Sequence, residues 1–135
     1  MMRRAILADT GPLYAAVDQD DADHARAHRE LRRAAREKLD VLISYSTLLE
    51  AYSLVLRRLG SEAATTWLTD VLSSASLINP SPEDYLDAAT RVAAFPDQDI
   101  TLCDATVAVL AERLQVEIWT YDYHFDVMRT KVWRR

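Results

Sequence analysis

The run Ala5-Ile6-Leu7-Ala8 is apolar without interruption and stops at Asp9-Thr10-Gly11-Pro12. A short continuous apolar run suits a strand buried on both faces, and such strands belong to sheets covered by helices on either side. A helix should follow, with Thr10 as its cap, Pro12 in a first turn where a missing N–H has no partner to lose, and Leu13, Tyr14 and Val17 in helical spacing. Asp18 to Asp23 reads as an acidic loop and residues 24–38 as a helix rich in Ala and Arg. Val41-Leu42-Ile43 is the second strand. Ser44 or Ser46 caps a helix to Arg58 with Leu48, Leu49, Tyr52, Val55, Leu56 and Leu59 on its apolar face, and Gly60 ends it. A helix over 61–73 leads to a weak strand at Leu77-Ile78-Asn79, and Pro80-Ser81-Pro82 opens a helix running towards Phe95-Pro96. After the loop 96–101, a strongly apolar helix covers Asp104 to Leu114, the last clear strand covers Val116 to Tyr121, and Lys131-Val132-Trp133 is a candidate edge strand. Strands alternating with helices imply an α/β fold with a parallel sheet and right-handed crossovers.

The 135 residues fit one domain spanning 1–135, with 50% hydrophobic residues to form its core. No apolar run approaches the ~20 residues of a membrane span, and Met1-Met2-Arg3-Arg4 precedes only a short apolar stretch, so a cytoplasmic protein is expected. The single Cys103 forms no internal disulfide, and no Cys/His spacing suggests zinc, so any metal is expected on oxygen ligands. A net charge of -5 argues against a generally phosphate-binding surface. The distribution is uneven, however: Arg26, Arg29, Arg32, Arg33, Arg36 and Lys38 load one helix, and Arg129, Lys131, Arg134 and Arg135 make the C-terminus basic. Either cluster is also what a solvated face would show.

Four acids lie where apolar runs end or inside apolar helical stretches: Asp9, Glu50, Asp104 and Asp122. In parallel α/β sheets ligands bind beyond the carboxyl ends of the strands, where Asp9 and Asp122 lie. Glu50 and Asp104, near helix starts, face the same edge. Two carboxylates ~4 Å apart repel by about 4 kcal/mol at an effective dielectric near 20, so four on one rim must take up protons or bind a cation. At least one should titrate well above ~4 without metal, because like charges raise carboxyl pKa values.

The segments Ile6-Leu7-Ala8-Asp9-Thr10, Leu48-Leu49-Glu50, Leu102-Cys103-Asp104-Ala105 and Thr120-Tyr121-Asp122-Tyr123-His124-Phe125, in this order and across nearly the whole chain, resemble the PIN-domain ribonucleases, and more closely the VapC-like toxins of type II toxin–antitoxin pairs. That resemblance implies a three-layer α/β/α fold with a mainly parallel sheet of four to five strands, Mg²⁺ or Mn²⁺ dependence, and cleavage of RNA. It also implies a homodimer and a cognate antitoxin. Carried over by position, Asp9, Glu50, Asp104 and Asp122 form the acidic quartet, and Thr10 orients a ligand or bound water. Cys103 departs from the pattern, which often has a small hydroxyl residue there.

The chemistry is consistent with those residue types. Mg²⁺ prefers oxygen ligands and keeps several waters, so a few carboxylates suffice to hold it. A bound dication makes water easier to deprotonate and neutralises charge on phosphoryl oxygens. Asp9 and Asp104 are assigned as direct ligands, Asp122 as completing the site directly or through water, and Glu50 as orienting the attacking water.

Each acid also has a bland role: Asp9 and Asp104 as helix caps, Glu50 as a solvated residue, Asp122 as a turn residue. Asp126 is a secondary candidate that could reach the site from the turn after Asp122, and Asp99 reads as a loop acid. His124 is read as a surface or loop histidine. His24 and His28 stand at i,i+4 but without the intervening Glu of zinc proteases. The tryptophans, with Tyr14, Tyr52 and Tyr85, are read as core or interface residues, and Cys103 as a small buried hydrophobe. Competing functions are a non-catalytic module holding an ion or a basic partner, an RNA-processing nuclease without an antitoxin, and a haloacid-dehalogenase-type phosphohydrolase. The last expects a second acid where Gly11 stands.

Overall fold

The computed structural model describes residues 4–134; Met1-Met2-Arg3 and the Arg135 of the basic C-terminus lie outside the described residues. The elements in order are β1 (Ala5–Ala8), α1 (Thr10–Ala15), α2 (His24–Arg36), β2 (Asp40–Ser44), α3 (Tyr45–Leu59), α4 (Ser61–Ser74), β3 (Ser76–Ile78), α5 (Pro82–Ala93), α6 (Leu102–Leu114), β4 (Glu117–Trp119) and α7 (His124–Val127). The sheet has four parallel strands in the order β3-β2-β1-β4. From β1 the chain winds outwards to β2 and β3, then returns to place β4 on the other side of β1. The order therefore reverses between β1 and β4, which is where α/β sheets open a crevice for ligands.

Alternation along the strands divides the interior into two cores. Ile6, Ala8, Ile43 and Trp119 pack with Tyr14, Ala27, Val55 and Trp67 from α1 to α4. Leu7 and Ile118 point the other way, against Ala88, Val107, Leu110 and Phe125 from α5 to α7. The result is a three-layer α/β/α arrangement, as expected for strands covered on both faces. Each large apolar side chain fully buried here contributes roughly 1.5–3 kcal/mol. Helix α6 is its most enclosed element, with every residue from Ala105 to Ala111 buried.

The departures from the sequence reading are local. Lys131-Val132-Trp133 forms no strand, only an isolated bridge between Ile118 and Val132, and Trp133 is buried instead as a ring edge-on to Trp119. Helix α6 starts at Leu102 rather than Asp104, because Thr101 is its cap. Thr10 is not a cap but the first residue of α1, with Asp9 in the cap position. Helix α7 was not anticipated. On α3, the apolar face is only half used: Leu48 and Val55 are buried, whereas Leu49 is 67% exposed and Leu56 and Leu59 are also exposed. Tyr85 likewise lies exposed on α5.

His24 and His28 serve structure, not metal. Nδ1 of His24 bonds the Ala15 carbonyl and Nε2 of His28 the Ala16 carbonyl, both at 2.8 Å, which ties α2 to the C-terminal end of α1. Among the described residues no helix is long and apolar enough to cross a membrane.

Candidate metal centre

The register of β1 on β4 pairs Ala8 with Trp119, and the Asp9 N–H bonds the Trp119 carbonyl at 2.9 Å, so the next residues along, Asp9 and Thr120, emerge side by side. The Thr120 hydroxyl donates to Asp9 Oδ2 at 2.8 Å and accepts the Asp122 N–H at 2.9 Å. One threonine thus fixes two of the four acids at the switch point. Glu50, in the second turn of α3, reaches the same rim, where its Oε1 accepts the Thr10 hydroxyl at 2.6 Å.

Asp104 is held by its own helix end. Its N–H bonds the Thr101 hydroxyl at 3.0 Å and its Oδ2 accepts the Thr101 N–H at 3.1 Å, a reciprocal capping box. The capping role weighed from sequence is therefore real for Asp104, but it coexists with the cluster. Asp104 is close enough for the charges of Asp122 and Glu50 to raise its carboxyl pKa, with burial the larger cause.

Asp9 is the most perturbed of the acids. Burial lifts its pKa from 3.8 to about 7, against the opposing hydrogen bonds from Thr120 and the Thr10 N–H, and the charges of Asp104 and Asp122 add to the rise. An acid titrating well above 4 was expected from like-charge repulsion. Desolvation is the leading cause instead, because Asp9 sits at the end of a central strand with only 5% of its surface exposed. Cys103 belongs to the same pocket. Burial, followed by the nearby charges of Glu50, Asp9 and Asp104, pushes its thiol pKa up to about 12, so it stays neutral and is not a nucleophile. That corrects its reading as a mere apolar filler.

His124 also departs from expectation. It opens α7 and is not a surface residue: only 12% of its side chain is exposed. Its N–H bonds Asp122 Oδ1 at 2.9 Å, its Nδ1 stands 3.1 and 3.3 Å from the two Asp122 oxygens, and its Nε2 is buried without a partner among the described residues. Asp104, Asp122 and His124 each present a ligand atom within 4.8 Å of the others. The set places an imidazole beside the carboxylates that the sequence reading offered as oxygen ligands, a donor chemistry open to transition metals as well as to Mg²⁺.

Asp126 does not reach this rim. Its carboxylate takes both terminal nitrogens of Arg134, at 3.2 and 2.8 Å, on the surface. Asp99 is likewise an exposed loop acid.

The PIN-domain family model matches residues 6–131, a span that contains all four acids. The chain belongs to the PIN-domain family. This PIN domain superposes on Mycobacterium tuberculosis VapC20, a sarcin-ricin-loop-cleaving toxin, with a TM-score of 0.84 at 21% identity, covering 97% of this chain and 100% of that one. VapBC2 from Rickettsia felis, bound to a promoter DNA fragment, gives 0.75 at 16% identity over 95% and 96% of the two chains. PAE2754 from Pyrobaculum aerophilum gives 0.58 at 27% identity over 90% and 82%. No curated protein matches the chain. The fold is therefore that of the VapC-type PIN proteins, as the sequence resemblance implied.

The sequence reading gave Thr120 no role of its own and set His124 aside as a surface or loop histidine. Thr120 matters through the β1–β4 register, which places it beside Asp9 and which no local pattern encodes. The signal for His124 was present two residues after Asp122, but only the short turn of α7 directs the ring inwards.

Proposed function

We propose that this PIN domain is a metal-dependent endoribonuclease that hydrolyses RNA phosphodiester bonds as the toxin of a toxin–antitoxin pair. The observation that carries the reading is the gathering of Asp9, Glu50, Asp104 and Asp122 at one switch point, coupled electrostatically and with no Arg or Lys paired to them among the described residues. A structural cluster would be neutralised by Arg or Lys. Here the positive charge is left for a ligand to bring.

Asp9, Asp104 and Asp122 would hold Mg²⁺ or Mn²⁺, with Nδ1 or Nε2 of His124 as a further donor. When bound, the ion supplies charge neutralisation at the phosphate and a more acidic water. Glu50, exposed at the rim and held by Thr10, orients the attacking water and accepts its proton. Thr120 keeps Asp9 and Asp122 aligned.

A partner is supported by the unused face of α3, where Tyr45, Leu49, Leu56 and Leu59 are exposed on a helix otherwise packed into the core. We assign this surface to protein contacts, with an antitoxin or with a second copy in a homodimer. The resemblance to VapC20, named as a sarcin-ricin-loop-cleaving toxin, and to VapBC2, named as bound to a promoter DNA fragment, supports that reading.

Purified protein incubated with RNA and Mg²⁺ or Mn²⁺ should cleave it, and Asp104→Asn should not. Equal cleavage by both proteins would point to a contaminant and remove the catalytic reading in favour of a non-catalytic module.

A further inference from the structure

The acid cluster creates a problem for its own substrate. A polyanion approaching four carboxylates on a chain of net charge -5 is repelled until the last few ångströms, so affinity must come from elsewhere on the surface. Helix α2 is where the opposite charge is concentrated, with five arginines against one glutamate.

Those arginines divide into two sets. Arg26 lies over the Tyr121 ring at 4.1 Å with Glu30 at 3.5 Å, and Arg33 lies over Trp133 at 4.5 Å, paired to Glu37 at 2.6 Å. Both are held against the body of the protein. Arg29, Arg32 and Arg36 are exposed and have no carboxylate partner among the described residues. Their spacing of three and four puts them on one stripe, ~10 Å long at 1.5 Å per residue. Their helical neighbours at i,i+3 and i,i+4 are largely one another, an arrangement that costs a helix a few tenths of a kcal/mol per pair. An ordinary solvated face interleaves opposite charges, as Arg33 and Glu37 do.

The stripe is also fixed relative to the acids. The Trp119 indole and the Tyr121 hydroxyl both donate to Glu30 Oε1, at 3.0 and 2.5 Å, which anchors α2 beside the end of β4, one residue from Asp122. We propose that Arg29, Arg32 and Arg36 form a phosphate-tracking surface that holds single-stranded RNA as it enters the acid cluster. This deepens the nuclease reading and rests on it for the identity of the polyanion.

The test is equilibrium binding of a labelled single-stranded RNA to the full chain in EDTA, where no cleavage occurs, across a salt series. Neutralising three phosphate contacts contributes about 2 to the slope of log K against log salt on a single strand. The triple variant R29Q/R32Q/R36Q should therefore show a slope shallower by about 2, so that raising salt from 50 to 200 mM weakens the parent protein roughly twentyfold more than the variant. All three side chains are exposed, and an unchanged circular dichroism melt would confirm that folding is intact. Identical slopes for the two proteins, or no RNA binding by the parent, would overturn the proposal. If the parent cleaves RNA with metal while the slopes coincide, the stripe fails and the nuclease stands. If the slopes differ but no cleavage occurs with any metal, the nuclease fails and the stripe stands.

Discussion

Helices α5 and α6 open with the same device and put it to different uses. Ser81 and Asp84 form a reciprocal capping box at α5, as Thr101 and Asp104 do at α6. At α5, the remaining valences of the aspartate are filled by Arg113, bidentate at 2.7 and 2.9 Å, and that bond holds Asp84 below the usual carboxylate range. At α6, the aspartate faces Asp122, Glu50 and His124, and its pKa is raised. The two places share the pattern of a hydroxyl residue followed three positions later by Asp. What differs is the third party, supplied in one case by an arginine of this chain and in the other, on the proposed reading, by a ligand.

That contrast can be broken by exchanging the losses. Asp104→Asn should reduce RNA cleavage by at least about 10³-fold, the scale of roughly 4 kcal/mol of lost charge stabilisation, while the folded protein survives with its melting temperature intact or raised. Initial rates on a labelled RNA and a calorimetric melt check both halves. Asp84→Asn should do the reverse. It leaves the half-exposed Arg113 without its buried partner, so a loss of about 1–3 kcal/mol in chemical denaturation is expected, with cleavage per folded molecule unchanged. A cleavage defect in Asp84→Asn as deep as in Asp104→Asn would erase the distinction.

The pH dependence sharpens it further. Asp9 binds its proton more tightly folded than unfolded, about 7 against 3.8, so its contribution to stability is complete below pH ~4 and is lost as pH rises through 7. The span corresponds to at most roughly 4 kcal/mol. Metal-free protein should therefore melt at a lower temperature at pH 8 than at pH 5, and Asp9→Asn should flatten that fall. Asp84, with its pKa lowered, acts in the opposite sense: its contribution is present above pH ~4 and disappears in acid. A melt of the parent that is flat from pH 5 to 8 would contradict the burial of Asp9. The smallest effect is expected from Thr120→Val, which removes one hydrogen bond from Asp9 and one from the Asp122 N–H. Cleavage should fall about tenfold, with a stability change of about 1 kcal/mol.

The layered parallel sheet was legible because β1 is uninterrupted and because Gly60 and Ser81 sit at helix boundaries that local chemistry dictates, whereas the Thr101 cap of α6 was read as the end of a loop. The four acids were legible for a related reason: an aspartate or glutamate against an apolar run has no local use for its charge. Neither the depth of Asp9 nor the roles of Thr120 and His124 could be read this way, since the first two depend on which strand lies next to β1 and the last on the turn into α7. Asp126 shows the converse. It lies close to Asp122 in sequence, yet α7 turns it outwards to Arg134, eight residues away and far weaker as a sequence signal. The half-exposed α3 face was likewise hidden, because an apolar periodicity does not say whether the partner is this chain or another.

The central claim is that these acids share one dication, and calorimetric titration of Mn²⁺ into metal-free protein at pH 6.5, repeated in two buffers of different ionisation enthalpy, tests it most directly. Parent protein should bind with release of protons drawn largely from Asp9, and Asp104→Asn should lose the binding. Equal uptake of Mn²⁺ by the two proteins, or uptake with no proton released, would contradict it.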